Sequence, residues 1–464
     1  MNKVSILHRD GSLNDYSSYS AARSAAAPKD LIQIWADLNE QIILLNGVDI
    51  WIAPGARLDY NPPSLSTPPG PTITDNGETC VCKIYGYGKI VNTYNITPWY
   101  ECIKTTDPDT ELSVECDVIE GKGGTVNAFT NTITGAAVFI SKGQKFHLNC
   151  NKVINPVTAG LYIGSTINVP DYHVNDVNIT VERVEITGTA TNPQAFGVMT
   201  SGSGFINIDQ IIINHHGHCL LHMKGNITAS IRKMLAFTNN NSDPDPAVTL
   251  NHGGTTPSQK LVLYFDEIQN LRTELLVSGG GVLVIQGTGI IVGRRVHSID
   301  GVAIYYSGSN TQGSIYCNDI ISENSRAMEL DNFTTQIIVD ANNIIGNQGG
   351  ELGAIYSILA NIFIKNARIV NLHTDSESRG IVLVRVSSNI TSLTLQNIKI
   401  ITQSTGGMPP YNEIILVNNA SNVDVKNFGL FVNRNVETYI NLEIGIKDPM
   451  DPDYNYLFIV NANI

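Results

Sequence analysis

Leu393-Thr-Leu-Gln-Asn-Ile-Lys-Ile-Ile401 has apolar side chains at its first and third places, Asn at the fifth, and an apolar pair at the eighth and ninth. Ile362-Phe-Ile-Lys-Asn-Ala-Arg-Ile-Val370 and Val423-Asp-Val-Lys-Asn-Phe-Gly-Leu-Phe431 repeat it. A period-two strand, a tight corner and a second strand generate this pattern. Repetition at a near-constant interval describes stacked supersecondary units, because one such unit cannot bury its apolar face alone.

Taking the third place as an anchor, the phrase falls on Val425, Leu395, Ile364, Val339, Ile315, Val284, Leu263, Ile231, Ile208, Ile179, Leu148 and Val114. That is eleven steps over 311 residues, about 28 per step, with gaps from 21 to 34. Weaker copies stand at Ile84 and Ile50, and Leu457-Phe-Ile-Val460 reads as one further turn. The period is too loose for a leucine-rich repeat and too short for a propeller blade. The spacing predicts an all-β fold, a right-handed parallel β-helix solenoid of about 13–15 coils and on the order of 65 Å long at roughly 4.8 Å per rung. Two segments are expected: 1–45, an N-terminal segment with a capping helix, and 46–464, the parallel β-helix. The helix is read from Leu31, Ile34, Trp35 and Leu38, which keep helical spacing after Pro28 and Asp30. It would cover the open sheet edge of the first coil.

Composition agrees with stacked strands and tight corners. Only 15% of the 464 residues are charged; Gly accounts for 40 and Asn for 48. Asn and Gly tolerate the left-handed backbone of such corners. Asn366, Asn397 and Asn427 share the fifth place and are expected to form a side-chain ladder. The net charge of −13, with no basic tract, argues against nucleic acid and anionic membrane surfaces as partners. No run of 18 apolar residues suggests a spanning helix, and the N-terminus does not read as a secretory signal. The seven cysteines are read as buried thiols. No cofactor and no metal site is expected; Cys80-x-Cys82 has no second ligand pair to complete a zinc site.

Candidate chemistry rests on carboxylates, which polysaccharide-cleaving β-helix enzymes carry on an outer face. Asp266-Glu267 lies at a corner, and Glu329-x-Asp331 falls in a loop region; carboxyl groups two residues apart could reach the roughly 5–10 Å separation that a glycosidase needs. Asp375-x-Glu377 is a further loop pair. Asp209 with Arg232, and Asp340 with Lys365, sit at the fourth place of successive coils and are read as rung-to-rung ion pairs. His216 and His218 could share a strand face in His215-His-Gly-His-Cys-Leu-Leu-His222, as ligand-binding or catalytic groups or as a polar turn. Tyr264, Tyr316, Tyr305 and Tyr306 are candidate stacking platforms for sugar rings, Tyr264 and Tyr316 being placed two coils apart on an outward column.

The repeated phrase resembles right-handed parallel β-helix proteins of the pectin-lyase-like class over most of the chain. Ile84-Tyr-Gly-Tyr-Gly-Lys-Ile90 is similar to an early coil of polygalacturonase-type proteins. That family's ordered acid, histidine and basic motifs do not follow: Asn207-Ile-Asp209 stands alone, and Cys219 follows His218 where the family has Gly. No catalytic residue is carried over. Phage tailspikes and fibre tips share the architecture, and the chain resembles them in its unpaired cysteines and in leading directly into coils. This resemblance implies a virion-associated protein, commonly a homotrimer, that binds or cleaves host-surface polysaccharide and contacts other virion proteins through its N-terminal segment. The alternatives are a bacterial carbohydrate-active lyase or glycosidase, extracellular or at the cell surface, and a structural scaffold without a ligand.

Overall fold

Within Glu111–Glu120, burial alternates: Leu112, Val114 and Cys116 point inward, while Glu115 is exposed. The same alternation runs through the other long strands and builds an all-β architecture of mostly parallel pairing, compatible with a solenoid. The computed structural model describes residues 3–62, 70–94, 100–123, 125–127, 132–164, 173–187, 195–214, 217–237, 245–251, 259–272, 280–331, 336–348, 353–358, 361–373, 381–384, 392–396, 398–402, 415–418, 424–426, 430–432, 440–443 and 458–461. The chain divides into two compact units, Met1–Phe237 and Thr238–Ile464.

In the first unit, successive passes of the chain lie side by side in three parallel ladders. The inward column of the first ladder runs Ile84, Val114, Leu148, Ile179, Ile206 and Ala229. That of the second runs Leu58, Ile90, Ile119, Val153, Val184 and Ile211. The third carries Ile73, Ile103, Val138, Leu161, Val198 and Leu220. All are at most 2% exposed, so each pass inserts at least one apolar side chain per ladder into the core. Each such burial is worth about 1.5–3 kcal/mol, and the next pass supplies the surface it is buried against.

The second unit repeats this plan. Leu263, Ile291, Ile315, Val339 and Ile364 stack in its first ladder, and Ile268, Val296, Ile320, Ile344 and Ile369 in its second. Val248, Val282, Ile304, Met328 and Ile355 stack in its third.

Several expectations are corrected. Residues 31–38 do not form a helix. Leu31–Ile34 is a strand with Ile32 and Ile34 inward, parallel to Asp49–Ile52. Leu31-Ile-Gln-Ile34 also satisfies a period of two, and pairing with the next strand decides the contest. The other edge of this strand is met by Val4–Leu7, which pairs antiparallel with it and with Leu13–Tyr16. A short helix does occur earlier, at Tyr19–Ala25, capped by Ser18 and with the Glu40 carboxylate accepting from the Tyr19 and Ser20 N–H groups. Asp30, read as a helix-start acid, is buried. Burial acts to raise its pKa, but hydrogen bonds from the Ala27 N–H, His8 and the Arg9 N–H hold it below the usual value.

The register also shifts some anchors. Ile179 pairs with Ile206, not Ile208, and Leu393, not Leu395, pairs with Val425. Val284 belongs to the third ladder, and the first-ladder neighbour of Leu263 is Ile291. Phe458–Asn461 is not a further parallel rung; it pairs antiparallel with Ile440–Glu443. Asn397 and Asn427 lie outside the described residues; Asn366, the remaining member of the expected ladder, has φ +60° and donates its amide to Asp340 across one rung. The rung pairs are formed: Arg232 binds both Asp209 carboxylate oxygens, and Lys365 Nζ lies 2.9 Å from Asp340. All seven cysteines are buried and outside any disulfide, with Cys116 and Cys150 facing each other at 3.7 Å. No described helix is long and apolar enough to cross a membrane.

A different asparagine carries more weight. At the ends of second-ladder strands, Asn92, Asn155, Asn270 and Asn371 are buried and donate to carbonyls of the loops leading into the third ladder. Asn155 donates to Gly135 O at 2.7 Å and accepts from the Val157 and Thr158 N–H groups. Asn155→Ala should lower unfolding stability by about 1–3 kcal/mol, because it strands buried backbone groups without partners. A denaturant midpoint identical to wild type would contradict this role.

Candidate functional site

The second unit brings the expected acids and aromatics together on its third ladder. In strand Met328–Asp331, Met328 and Leu330 fill the core, which turns Glu329 and Asp331 to the opposite side. Register places Glu329 between Tyr305 on one neighbouring strand and Tyr356 on the other. The Arg326 guanidinium, three residues before Glu329, binds its carboxylate at 2.6 Å and lies 5.2 Å from the Tyr356 ring centre. Tyr305 hydroxyl donates to Asp331 Oδ2 at 3.4 Å, and the Ile358 N–H donates to Asp331 Oδ1 at 3.2 Å.

The electrostatics follow from this packing. Arg326, Glu329 and Asp331 are each at least nine-tenths buried, while Tyr305 and Tyr356 are half-buried. Burial, followed by the neighbouring Glu329 charge and a hydrogen bond to Glu329, pushes the Asp331 carboxyl up to about 7. The Ile358 N–H and the Tyr305 hydroxyl oppose that rise. Burial likewise raises the Tyr305 phenol, which keeps it a proton donor at neutral pH. The arrangement is a pair of acidic groups in which burial and the neighbouring Glu329 favour the protonated form of Asp331, with Glu329 fixed by an arginine and an aromatic ring on either side. Asp331 can donate a proton or a hydrogen bond near neutral pH, and Glu329 can accept one.

The other candidates are dispersed. Asp266 is exposed, whereas Glu267 is buried, accepts from Gln269 at 2.6 Å and faces Arg295 at 3.9 Å. These neighbours point to different sides of their strand. Tyr264 and Tyr316 are 46% and 39% exposed and share an outward column, separated by Val292. Tyr306 offers no ring face to a ligand: it is fully buried and its hydroxyl donates to Gly289 O. His218 is buried against the Phe196 ring, so packing rather than exposure governs it, and His222 is fully buried beside Gly225 O. His216, Asp375 and Glu377 lie outside the described residues. Among the described residues, no cluster of three or more His, Cys, Asp or Glu could hold a metal ion.

Arg326 and Tyr356 were missed by sequence reasoning, although a second phrase pointed to Tyr356. Ala247-Val-Thr-Leu250, Ala303-Ile-Tyr-Tyr306, Ala327-Met-Glu-Leu330 and Ala354-Ile-Tyr-Ser357 each put a buried Ala before a third-ladder strand, with the outward residue third. In comparisons with known proteins, no family model, curated protein or solved structure matches the chain.

Proposed function

We propose that this chain is a tailspike- or fibre-like right-handed parallel β-helix protein of a virion that binds host-surface polysaccharide. The observation that carries the reading is the Tyr305–Glu329–Tyr356 column with Asp331 beside it. Aromatic faces flanking paired carboxyl groups suit sugar rings, whose apolar faces stack on aromatics and whose hydroxyls need both donors and acceptors. The proposed assembly is a homotrimer that meets other virion proteins through residues 1–45.

Binding is tested by retardation of the protein in gels cast with acidic and neutral polysaccharides. Tyr356→Ala should weaken retardation about tenfold or more. Tyr356→Ala that binds as wild type would remove this site from the reading. A solution mass of three chains is expected, and a monomer would count against the virion assignment.

A second reading, a carbohydrate-active lyase or glycosidase, is favoured by one observation: the Asp331 carboxyl still holds its proton near neutral pH. It predicts new reducing ends or unsaturated products from one of these polymers, with Asp331→Asn lowering the rate at least a hundredfold. Products formed equally by Asp331→Asn would exclude Asp331 as the acid. A chain that neither binds nor cleaves any polymer would be a scaffold.

A further inference from the structure

The first unit carries an outward column unlike the acid cluster. Register aligns Trp51 with Tyr85, and Glu115 with Asn149, Thr180, Asn207 and Ser230 in turn; the pairing of Ile84 with Val114, one residue before each, brings the two runs together at Tyr85 and Glu115. Tyr85, Glu115, Asn149 and Thr180 line one shallow groove, and Asn149, Thr180, Asn207 and Ser230 line a second, the two meeting at Asn149 and Thr180. Glu115, Asn149, Thr180, Asn207 and Ser230 are all exposed. Seven rungs at roughly 4.8 Å give this track a length of about 30 Å.

Its chemistry changes along its length. At one end Trp51 packs edge-on against the half-exposed Trp35, with ring centres 4.8 Å apart, and Tyr87 stands 66% exposed nearby in the chain. Beyond Glu115 the floor consists of amides and hydroxyls. The side chains of Asn149, Thr180, Asn207 and Ser230 have no intramolecular hydrogen-bond partner among the described residues, so each rung offers a donor and an acceptor to solvent. Phe205, 63% exposed, flanks this floor beside Asn178. Charges along the groove nearly cancel: Lys83 and Arg232 stand against Glu115, Glu182 and Asp209. Arg232 and Asp209 already bind each other.

We infer that this face is a binding track for a neutral, linear oligosaccharide, with pyranose rings stacked at the Trp51–Tyr85 end and hydroxyls bound along Asn149, Thr180, Asn207 and Ser230. The balance of charge gives no complement to nucleic acid or to polyuronates. A second copy of the chain would need a dry apolar centre, whereas the middle of this groove is its most polar part. A strand-adding peptide needs a free sheet edge, and this is a sheet face. The inference rests on the carbohydrate reading above but uses a different unit and different residues.

The test is affinity electrophoresis in gels cast with dextran, galactomannan or xyloglucan as neutral probes, and polygalacturonate or alginate as acidic ones. Wild type should be retarded by at least one neutral polymer. Tyr85→Ala and the double variant Asn149→Ala/Asn207→Ala should each reduce that retardation tenfold or more. Thr180→Arg, a bulky charge at an exposed position, should abolish it while the thermal midpoint stays at the wild-type value. Retardation by acidic polymers alone, or loss in Tyr356→Ala but not in the track variants, would overturn the track and leave the proposed function standing. A change of solution mass in Thr180→Arg would overturn it in favour of a second copy on this face. Loss of neutral binding in the track variants with Tyr356→Ala unaffected would support the track and remove the acid cluster from binding.

Discussion

Gly204→Ala is expected to abolish most soluble folded protein, although it adds one methyl group. Gly204 has φ +142°, and a Cβ there would lie 2.0 Å from Val177 O and 2.9 Å from Val177 N. Those atoms are backbone, and Val177 is held from its other side by pairing with Phe146, so neither strand can step away. Gly202, two residues earlier, would place a Cβ 2.9 Å from Val174 O, and the register slips between Val174 and Val177. The chain here passes too close to its neighbour for any side chain. Backbone strain of about 1–3 kcal/mol adds to overpacking of about 1–3 kcal/mol or more, a large share of ordinary folding stability. Gly11→Ala is the control: Gly11 has φ +87° but nothing within 4 Å of the added Cβ, so only the strain remains. Soluble yield and denaturant midpoints of the two variants decide the matter. Equal midpoints would show that close approach at Gly204 carries no weight.

The same close stacking explains what could be read from the sequence. Apolar alternation is imposed by every rung on the next, so strand and inward face were legible at Val114, Leu148 and Ile179. Positions two apart carry the same signal, so the repeated phrase aligns Ile208 with Ile179 although Ile206 holds that place. A four-residue run such as Leu31–Ile34 fits both periods, and a neighbouring strand, invisible in local sequence, decides between them. Tyr264 and Tyr316 were placed two coils apart, and the register agrees, but the intervening rung is Val292 and not one anchored on Val284.

The candidate site was legible as residue types but not as geometry. Glu329-x-Asp331 reads as a loop pair, yet it lies in the strand Met328–Asp331, which pairing with a neighbour on each side creates. Tyr305 and Tyr356 lie 24 and 27 residues away in sequence and meet Glu329 only through that register. Arg326 was overlooked for another reason. An arginine three residues before an acid suggests a helical pair, yet here it precedes a strand and reaches Glu329 beside the Tyr356 ring. Burial is what converts the group into chemistry, and no pattern of acids in a sequence reports how much water surrounds them.

Glu329→Gln should release Asp331 from part of its perturbation and shift a specific pH dependence to lower pH. In the wild type Asp331 holds its proton up to about pH 7, against an ordinary value of 3.8. The folded state therefore binds this proton more tightly than the unfolded chain does. The resulting stabilisation is complete below about pH 4 and is lost as pH rises through 7. The thermal midpoint of the wild type should accordingly fall between pH 5 and pH 8. Asp331→Asn, which cannot ionise, should lack that component and gain on the wild type at pH 8, by on the order of a few °C. In Glu329→Gln the like charge is gone but burial, the larger cause, remains, so the Asp331 transition should move down without reaching its ordinary position. That variant also leaves Arg326 buried without its anionic partner, a cost of about 3–5 kcal/mol that lowers the midpoint throughout. The slope against pH, not the level, is the diagnostic quantity. A Glu329→Gln slope that superimposes on the wild type would mean that the Glu329 charge does not act on Asp331. Asp331 would then sense burial alone, and the case for it as a proton donor to a bound sugar would lose the neighbour that keeps it protonated near neutral pH.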